Sequence, residues 1–444
     1  MKNDTIAAIA TPPGTGGVAI VRISGPEAEK TLRSAFRRGD KKTEWKSHEF
    51  VYGHIVRGGE TVDEGMAVLM RAPRSYTRED VAELHCHGGE TVTRMTLEAA
   101  LAAGARPAQP GEFTRRAFEN GRVDLAQAEA VMRLIGAQGE AAARQARRQM
   151  DGAVSRGVEK ARQKLLDMLA EIAACTDFPD EIEEAPTAAK LLDEARTLSG
   201  ALRAACDPRS ARVLEIGFNV VIAGRLNVGK SSLLNALLGE ERAIVTSEAG
   251  TTRDAVRGTM ELAGVRVNLT DTAGLREADS EAEKIGVKRA KEAVANADLA
   301  LVVLDASQPL TEEDRETLAE TESVNRWILL NKTDLPAAAR LPAADMTISA
   351  QTGEGVETLR ERLREEAKKA QVGGALLTQA RHIDAAQRAA ESLDAMCRTL
   401  ESGTPLDFAA VDATDALRAL GEITGEDAAE TVVDAVFANF CVGK

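Results

Sequence analysis

Phe218–Leu238 reads FNVVIAGRLNVGKSSLLNALL. Its first six residues are apolar and β-prone, as in a buried strand. Gly224–Ser231, GRLNVGKS, then fits G-x-x-x-x-G-K-[ST], and Ser232–Leu238 continues as a helix. Strand, glycine-bracketed loop and helix are the context that gives this motif meaning. Backbone N–H groups of the loop and of the helix N-terminus converge on phosphate oxygens. In that frame Lys230 reaches the β- and γ-phosphates and Ser231 ligates Mg²⁺. Asn227, Val228, Gly229 and Ser232 form the rest of the cradle.

Four further pieces follow in order. Asp271-Thr272-Ala273-Gly274 ends the apolar segment Val265–Thr270. Asp271 would hold Mg²⁺ through water, and the Gly274 N–H would meet the γ-phosphate. Asn331-Lys332-Thr333-Asp334 follows the apolar Trp327–Leu330. A carboxylate such as Asp334 accepts from both guanine donors, N1–H and the exocyclic amine, whereas adenine offers the opposite pattern at N1. Ser349-Ala350 follows a short strand and would complete the base pocket with a backbone N–H. Gly250-Thr251-Thr252-Arg253-Asp254 stands where a γ-phosphate-sensing switch belongs. Five ordered pieces imply GTP binding and hydrolysis, against an α/β domain with accidental motifs.

Ras-like proteins place a glutamine directly after D-x-x-G to orient the attacking water. Leu275 occupies that place here and cannot do so. Asn227 could instead help ligate a monovalent cation, supplying the positive charge an arginine finger otherwise brings. Glu277, Glu281 and Glu283 lie just beyond, and spacing does not choose among them.

The chain has 444 residues, enough for several cores, with 44% hydrophobic and 28% charged residues, the balance of a folded protein. Its net charge of −14 argues against a broad nucleic-acid-coating surface. Arg115-Arg116, Arg144 with Arg147-Arg148, and Arg156 with Lys160 are local basic spots that read individually as solvated helix faces. The N-terminus lacks a signal-peptide core, no 18-residue apolar run exists, and the five scattered cysteines have no CxxC spacing. The expectation is a cytoplasmic protein with no membrane span.

Residues 1 to about 118 read as strand-rich with one helix. The strands are Thr5–Thr11, Val18–Ser24, Phe50–Val56, Glu64–Met70 and Val81–His87, and the helix is Glu90–Ala103, capped by Gly104. His85 and His87 share one strand face, too few ligands for a closed metal site. Gly111 opens a polar turn, after which Leu125 and Ala128 start a helical period. Val154, Val158, Ala161, Leu165, Met168 and Ile172 recur at threes and fours. Phe178–Pro186 reads as an acidic connector, Thr187–Cys206 as a helix, and 212–217 as a lead into the GTP-binding domain. Within it, Val256–Leu262 and Val265–Thr270 form a hairpin, Leu299–Leu304 and Trp327–Leu330 are core strands, and Gly353–Lys369 is the last helix. Thr378–Leu400, Leu406–Leu420 and Glu426–Asn439 are helices again. Helices before and after imply a Ras-like α/β domain inserted into one helical domain.

Taken together, IAAIATPPG, GGVAIVRISGP, HCHGG, GEFTRRAFENGRVDLAQAEAV, GRLNVGKSSLLNAL, GTTRD, DTAGLRE, NKTD and the terminal CVGK resemble the TrmE/MnmE family of tRNA-modification GTPases from end to end. The resemblance implies four segments. They are 1–118, an α+β folate-binding and dimerisation domain; 119–214 and 373–444, the two parts of the helical domain; and 215–372, the GTPase. It implies a homodimer acting with an FAD-dependent GidA/MnmG-type protein, in a heterotetramer or larger, on the wobble uridine of certain tRNAs. GTP, Mg²⁺, K⁺ and 5-formyl- or methylene-tetrahydrofolate are its cofactors. By the same resemblance Asn227 coordinates K⁺ with the Thr246, Ser247, Glu248 and Thr251 region. Thr252 senses Mg²⁺ beside Ser231 and Asp271, and Glu283 orients the water. Arg22, Glu83 and Arg122 match folate contacts, and Cys441 matches a terminal cysteine proposed as a nucleophile. A regulatory GTPase without carbon transfer is the competing class.

Overall fold

The computed structural model describes residues 4–40, 42–239, 258–271, 291–371 and 376–444. The chain divides into two compact units, one of residues 1–132, 148–191 and 399–444, the other of 133–147 and 192–398.

The first unit holds a seven-stranded sheet in the order β3-β4-β5-β6-β2-β1-β7. In chain order the strands are β1 Ile6–Ile9, β2 Gly16–Ser24, β3 Phe36–Arg38, β4 Val51–Arg57, β5 Glu60–Met70, β6 Val81–Gly88 and β7 Arg106–Pro107. All neighbours are antiparallel except β1 and β7. Val21 and Ile23 of β2 are buried on one side of the pleat, and Arg22 points to the other. The helices Ala28–Ala35 and Glu90–Ala102 cover the apolar side, adding Leu32, Ala99 and Ala100 to its core.

Two expectations are corrected here. The first 118 residues carry the helix Ala28–Ala35 besides Glu90–Ala102, and Glu112–Glu119 is a helix where a polar turn was expected. Ala28 and Ala35 are too small to spell an apolar face, although both are fully buried. In Glu112–Glu119 three polar residues, Glu112, Thr114 and Arg116, are themselves buried. Glu112 and Arg116 pair with each other, with Arg106 and Asp4, and with Glu79. The long helix Ala153–Asp177 buries Val154, Val158, Ala161, Leu165, Met168 and Ile172, the stripe its spacing predicts. It packs against Leu406–Thr424, from beyond the inserted domain. Leu125 and Ala128 likewise join Val433, Phe437 and Phe440 in a small core.

The second unit centres on a six-stranded sheet ordered β13-β12-β11-β8-β10-β9. Its strands are β8 Phe218–Ala223, β9 Gly258–Leu262, β10 Val265–Asp271, β11 Leu299–Asp305, β12 Arg326–Asn331 and β13 Met346–Thr347. Only β9 runs antiparallel, in the hairpin expected with β10. β11 is buried at every residue, as a strand covered on both faces must be. The order reverses between β8 and β11, and such a switch point opens a crevice at the strand carboxyl ends.

Here too boundaries move. Residues 212–217 are not a plain lead: Pro208–Ile216 is a helix, capped by the Asp207 carboxylate with proline in its first turn. The helix expected from Thr187 begins at Glu184, with Pro186 tolerated in its first turn. The last helix of this domain is Val356–Gln371. Ser199 and Arg203 of the Glu184–Ala205 helix bond Asp394 of the Ala380–Glu401 helix, so segments from either side of the insertion meet in this unit as well.

Candidate functional site

The phosphate loop leaves the carboxyl end of β8 and turns into the helix Lys230–Leu238. The turn needs left-handed backbone at Asn227, φ 62°, and at Gly229, φ 98°. A side chain at Gly229 would collide with the Asn331 amide, so glycine is required there for space as well as for φ. Lys230 is buried, and its ammonium donates to the carbonyls of Gly224 and Arg225, each at 2.7 Å. Ser231 Oγ donates to Asp271 Oδ2 at 2.8 Å, and Asp271 is fully buried at the end of β10. A hydroxyl beside a buried carboxylate is a hard oxygen pair that suits Mg²⁺.

The residues expected to read the base gather at the ends of β12 and β13. Asn331 Nδ2 donates to the Val228 carbonyl at 2.7 Å, while its Oδ1 accepts from the Ala350 N–H at 2.9 Å. The backbone N–H expected to face the base is thus engaged by Asn331. Lys332, in left-handed backbone, pairs with Asp305 at 2.7 Å. Burial acts to raise the Asp305 carboxyl, and hydrogen bonds from Lys332 and Ser307 outweigh it, leaving the group below the usual carboxylate range. Asp334 Oδ1 accepts from Ser349 Oγ at 2.6 Å, which orients the carboxylate and leaves acceptor positions for two further donors.

Expected residues Thr246, Ser247, Glu248, Thr251, Thr252, Thr272, Ala273, Gly274, Leu275, Glu277, Glu281 and Glu283 lie outside the described residues.

A second cluster forms in the first unit. Arg22 and Glu83 face each other across β2 and β6, with Nε and Oε1 2.9 Å apart. Burial tends to raise the Glu83 carboxyl; hydrogen bonding from His85 and the charge of Arg22 bring it below its ordinary value. Arg22 also lies 5.2 Å from the Tyr76 ring centre and 5.9 Å from that of Phe113. Arg122 approaches the same Tyr76 ring at 4.6 Å and donates to the Tyr76 carbonyl. Arg22 and Arg122 therefore converge on Tyr76, with Glu83 held beside Arg22; sequence reasoning passed over Tyr76 because one aromatic in a polar loop carries no pattern. Arg22 Nη1 is buried with no hydrogen-bond partner. An orphaned donor beside an aromatic ring, a carboxylate and a second guanidinium fits a flat, polar heteroaromatic ligand such as a pterin.

The chain end approaches the same cluster. The Cys441 carbonyl accepts from the Gly111 and Lys444 N–H groups, and the Cys441 side chain is exposed. Burial, and then the charge of Arg22, push the Lys444 ammonium below its usual pKa. Elsewhere on β6, His85 pairs with Glu83 and stacks edge-on with Phe50, while His87 pairs with Asp63. Burial pushes the Cys86 thiol between them up. Among the described residues no helix is long and apolar enough to cross a membrane.

Comparisons with known proteins give the family. Residues 5–122 match the family model described as "GTP-binding protein TrmE N-terminus", and residues 125–441 match that of the "MnmE helical domain". The chain is 47% identical over 458 residues to a tRNA modification GTPase MnmE of Chloroflexus aurantiacus, covering 100% of both chains. It is 44% identical over 453 residues to the Streptococcus mutans protein of the same name, covering 99% of each. Among solved structures, the G domain of the T. maritima FeoB iron transporter is 28% identical over 34% of this chain and 98% of its own, with a TM-score of 0.26. With both family models laid end to end and near-half identity sustained over its whole length, the chain belongs to the MnmE family of tRNA modification GTPases.

Proposed function

We infer that this chain hydrolyses GTP as one subunit of a complex that modifies carbon 5 of the wobble uridine in certain tRNAs. It works as a homodimer with a GidA/MnmG-type flavoprotein, and a tetrahydrofolate supplies the carbon unit. The product group is carboxymethylaminomethyl or aminomethyl. The observation that carries the reading is the meeting, at the carboxyl ends of one sheet, of Lys230, the Ser231–Asp271 pair and the Ser349-oriented Asp334. A triphosphate grip and a guanine reader then stand at opposite ends of one site.

Within it Lys230 and the loop N–H groups of Asn227, Val228, Gly229, Ser231 and Ser232 hold the triphosphate. Ser231, Asp271 and Thr252 hold Mg²⁺, which neutralises phosphate charge. Asn227, with Thr246, Glu248 and Thr251, holds K⁺, and Glu283 orients the attacking water in place of the missing glutamine. The left-handed backbone at Asn227 is the described feature that supports its part. Arg22, Glu83 and Arg122 hold the folate, with the unpartnered Arg22 Nη1 in support. Residues 1–118 form the folate and dimerisation domain, 119–214 and 373–444 the helical domain, and 215–372 the GTPase. Five free thiols suit a reducing cytoplasm.

The test is modification of unmodified tRNA by this chain with and without the flavoprotein, GTP and the folate. Product nucleosides are read by mass spectrometry. Product that depends on all of them is expected; full product without this chain would sink the reading. A regulatory GTPase would bind GTP and leave carbon transfer unchanged.

A further inference from the structure

Lys230 can act on a phosphate only if its ammonium is held, and the holder includes the Arg225 carbonyl. The side chain of the same residue, Arg225, is itself tied down by the connection after β11. Its Nε donates to Asp314 Oδ2 at 3.3 Å and its Nη2 to Gln308 Oε1 at 2.8 Å. Asp314 is almost wholly buried and is itself immobilised. It closes a capping box with Thr311 at the start of the helix Glu312–Glu320. Asp314 Oδ1 is buried with no hydrogen-bond partner, and its Oδ2 accepts from the Thr311 N–H and hydroxyl and from Arg225, whose guanidinium is the cation the carboxylate pairs with. The same connection after β11 begins at Asp305, the partner of Lys332 in the base-reading motif.

We propose that Arg225 is a positioning residue for Lys230, anchored on Asp314 and Gln308 so that the phosphate loop presents its lysine to the β- and γ-phosphates. This rests on the GTP-hydrolase reading above. The Arg225 side chain is spent on Asp314 and Gln308, and it sets the carbonyl against which the lysine rests. The consequence is selective. Losing the anchor loosens the polyphosphate grip and leaves the Asp334–Ser349 pair of the base pocket in place.

The experiment compares GTP, GDP and GMP binding to the full-length protein by competition against a fluorescent guanine nucleotide, for wild type, Arg225→Ala, Arg225→Lys and Gln308→Ala. Arg225→Ala is expected to weaken GTP and GDP by roughly 10-fold, the scale of one charge-assisted contact, with GMP unchanged. Gln308→Ala should follow in the same direction with a smaller loss, and Arg225→Lys should recover part of it. Thermal unfolding without nucleotide identifies any variant that fails to fold. Gln308→Ala, which leaves the capping box intact, then carries the test. Unchanged GTP affinity, or equal weakening of GTP and GMP, overturns the proposal. A wild-type protein that binds neither GTP nor GDP would instead overturn the hydrolase reading itself.

Discussion

Asn331 joins the two halves of the nucleotide site: its amide nitrogen bonds the Val228 carbonyl of the phosphate loop, and its oxygen accepts the Ala350 N–H beside the base pocket. Both bonds are buried or nearly so, and no other residue type of that size offers a donor and an acceptor in one plane. Asn331→Ala strands the Val228 carbonyl and the Ala350 N–H. An orphaned buried group costs about 1–3 kcal/mol. GTP and GDP should therefore both bind ~10- to 100-fold more weakly, measured by calorimetry. Loss confined to one of the two nucleotides would show that the bridge does not organise the site as a whole.

Asp334 is held by Ser349 and keeps acceptor capacity for two further donors, which the proposed function assigns to guanine. Asp334→Asn replaces an acceptor with a donor and should reverse the preference from guanine to xanthine, which carries a carbonyl where guanine has an amine. Competition of GTP and xanthosine triphosphate for the variant reads this directly. Undiminished GTP preference would remove Asp334 from base recognition.

Much of this was legible because it is local. The phosphate loop is spelled by contiguous residues, and the sheet strands by apolar runs, so β4, β5, β6, β8, β11 and β12 fall within a few residues of expectation. The Asp207–Pro208 start of a helix is also local, a cap followed by proline, but the expectation of a lead at 212–217 missed it. The helix Glu112–Glu119 was not legible. Its Glu112 and Arg116 look like surface residues; Arg106 lets Glu112 be buried, and partners distant in sequence, Asp4 and Glu79, do the same for Arg116. The Arg225 anchor and the engagement of the Ala350 N–H fail to show for the same reason: each depends on a contact made only by the folded sheet.

Asn227 sits at a bend where its side-chain oxygen is free of helix constraints, φ being 62°. If it ligates a monovalent cation, hydrolysis should be several-fold faster in K⁺ than in Na⁺ at equal ionic strength, and Asn227→Ala should abolish the difference. Steady-state phosphate release in the two salts decides it. Equal wild-type rates would leave the cation without a role.

The Asp4–Arg106–Glu112–Arg116–Glu79 network makes a pH prediction. Burial works to raise the Glu112 carboxyl, and hydrogen bonds from Arg106, the Gln109 N–H and Arg116 bring it below its ordinary value of 4.5. Asp4 is likewise lowered from 3.8 by Arg106 and Arg116 against its own burial. Lowered folded-state values mean stability that is fully present above these ordinary values and lost as pH falls through the folded ones. Arg116→Ala, which leaves Glu112 short of a buried partner, should cost about 3 kcal/mol near neutrality. The deficit should shrink below about pH 4, where protonation discharges the carboxylates that Arg116 pairs. Urea unfolding followed by Trp45 in a Trp327→Phe background measures it at both pH values. A deficit that is constant with pH would mean packing, not charge, sets the cost.

The chain end supplies the last prediction. Gly443 has φ 97°, and a Cβ there would overlap the Ile9 carbonyl oxygen at the end of β1. Alanine is penalised twice, by the left-handed backbone and by the overlap, so the terminal residues must leave their seat. That removes the Lys444 ammonium from the neighbourhood of Arg22 and Glu83 and frees the Cys441 carbonyl from Gly111. If the Arg22 cluster is the folate site, Gly443→Ala should weaken tetrahydrofolate binding by about 10-fold or more, the size of one lost charged contact. GTP hydrolysis by the same variant should be unchanged, because the site around Lys230 is built in the other unit from its own residues. Fluorescence titration with 5-formyltetrahydrofolate and a phosphate-release assay on one preparation separate the two. Folate binding equal to wild type would show that the terminal lysine and cysteine stand near the pocket without belonging to it.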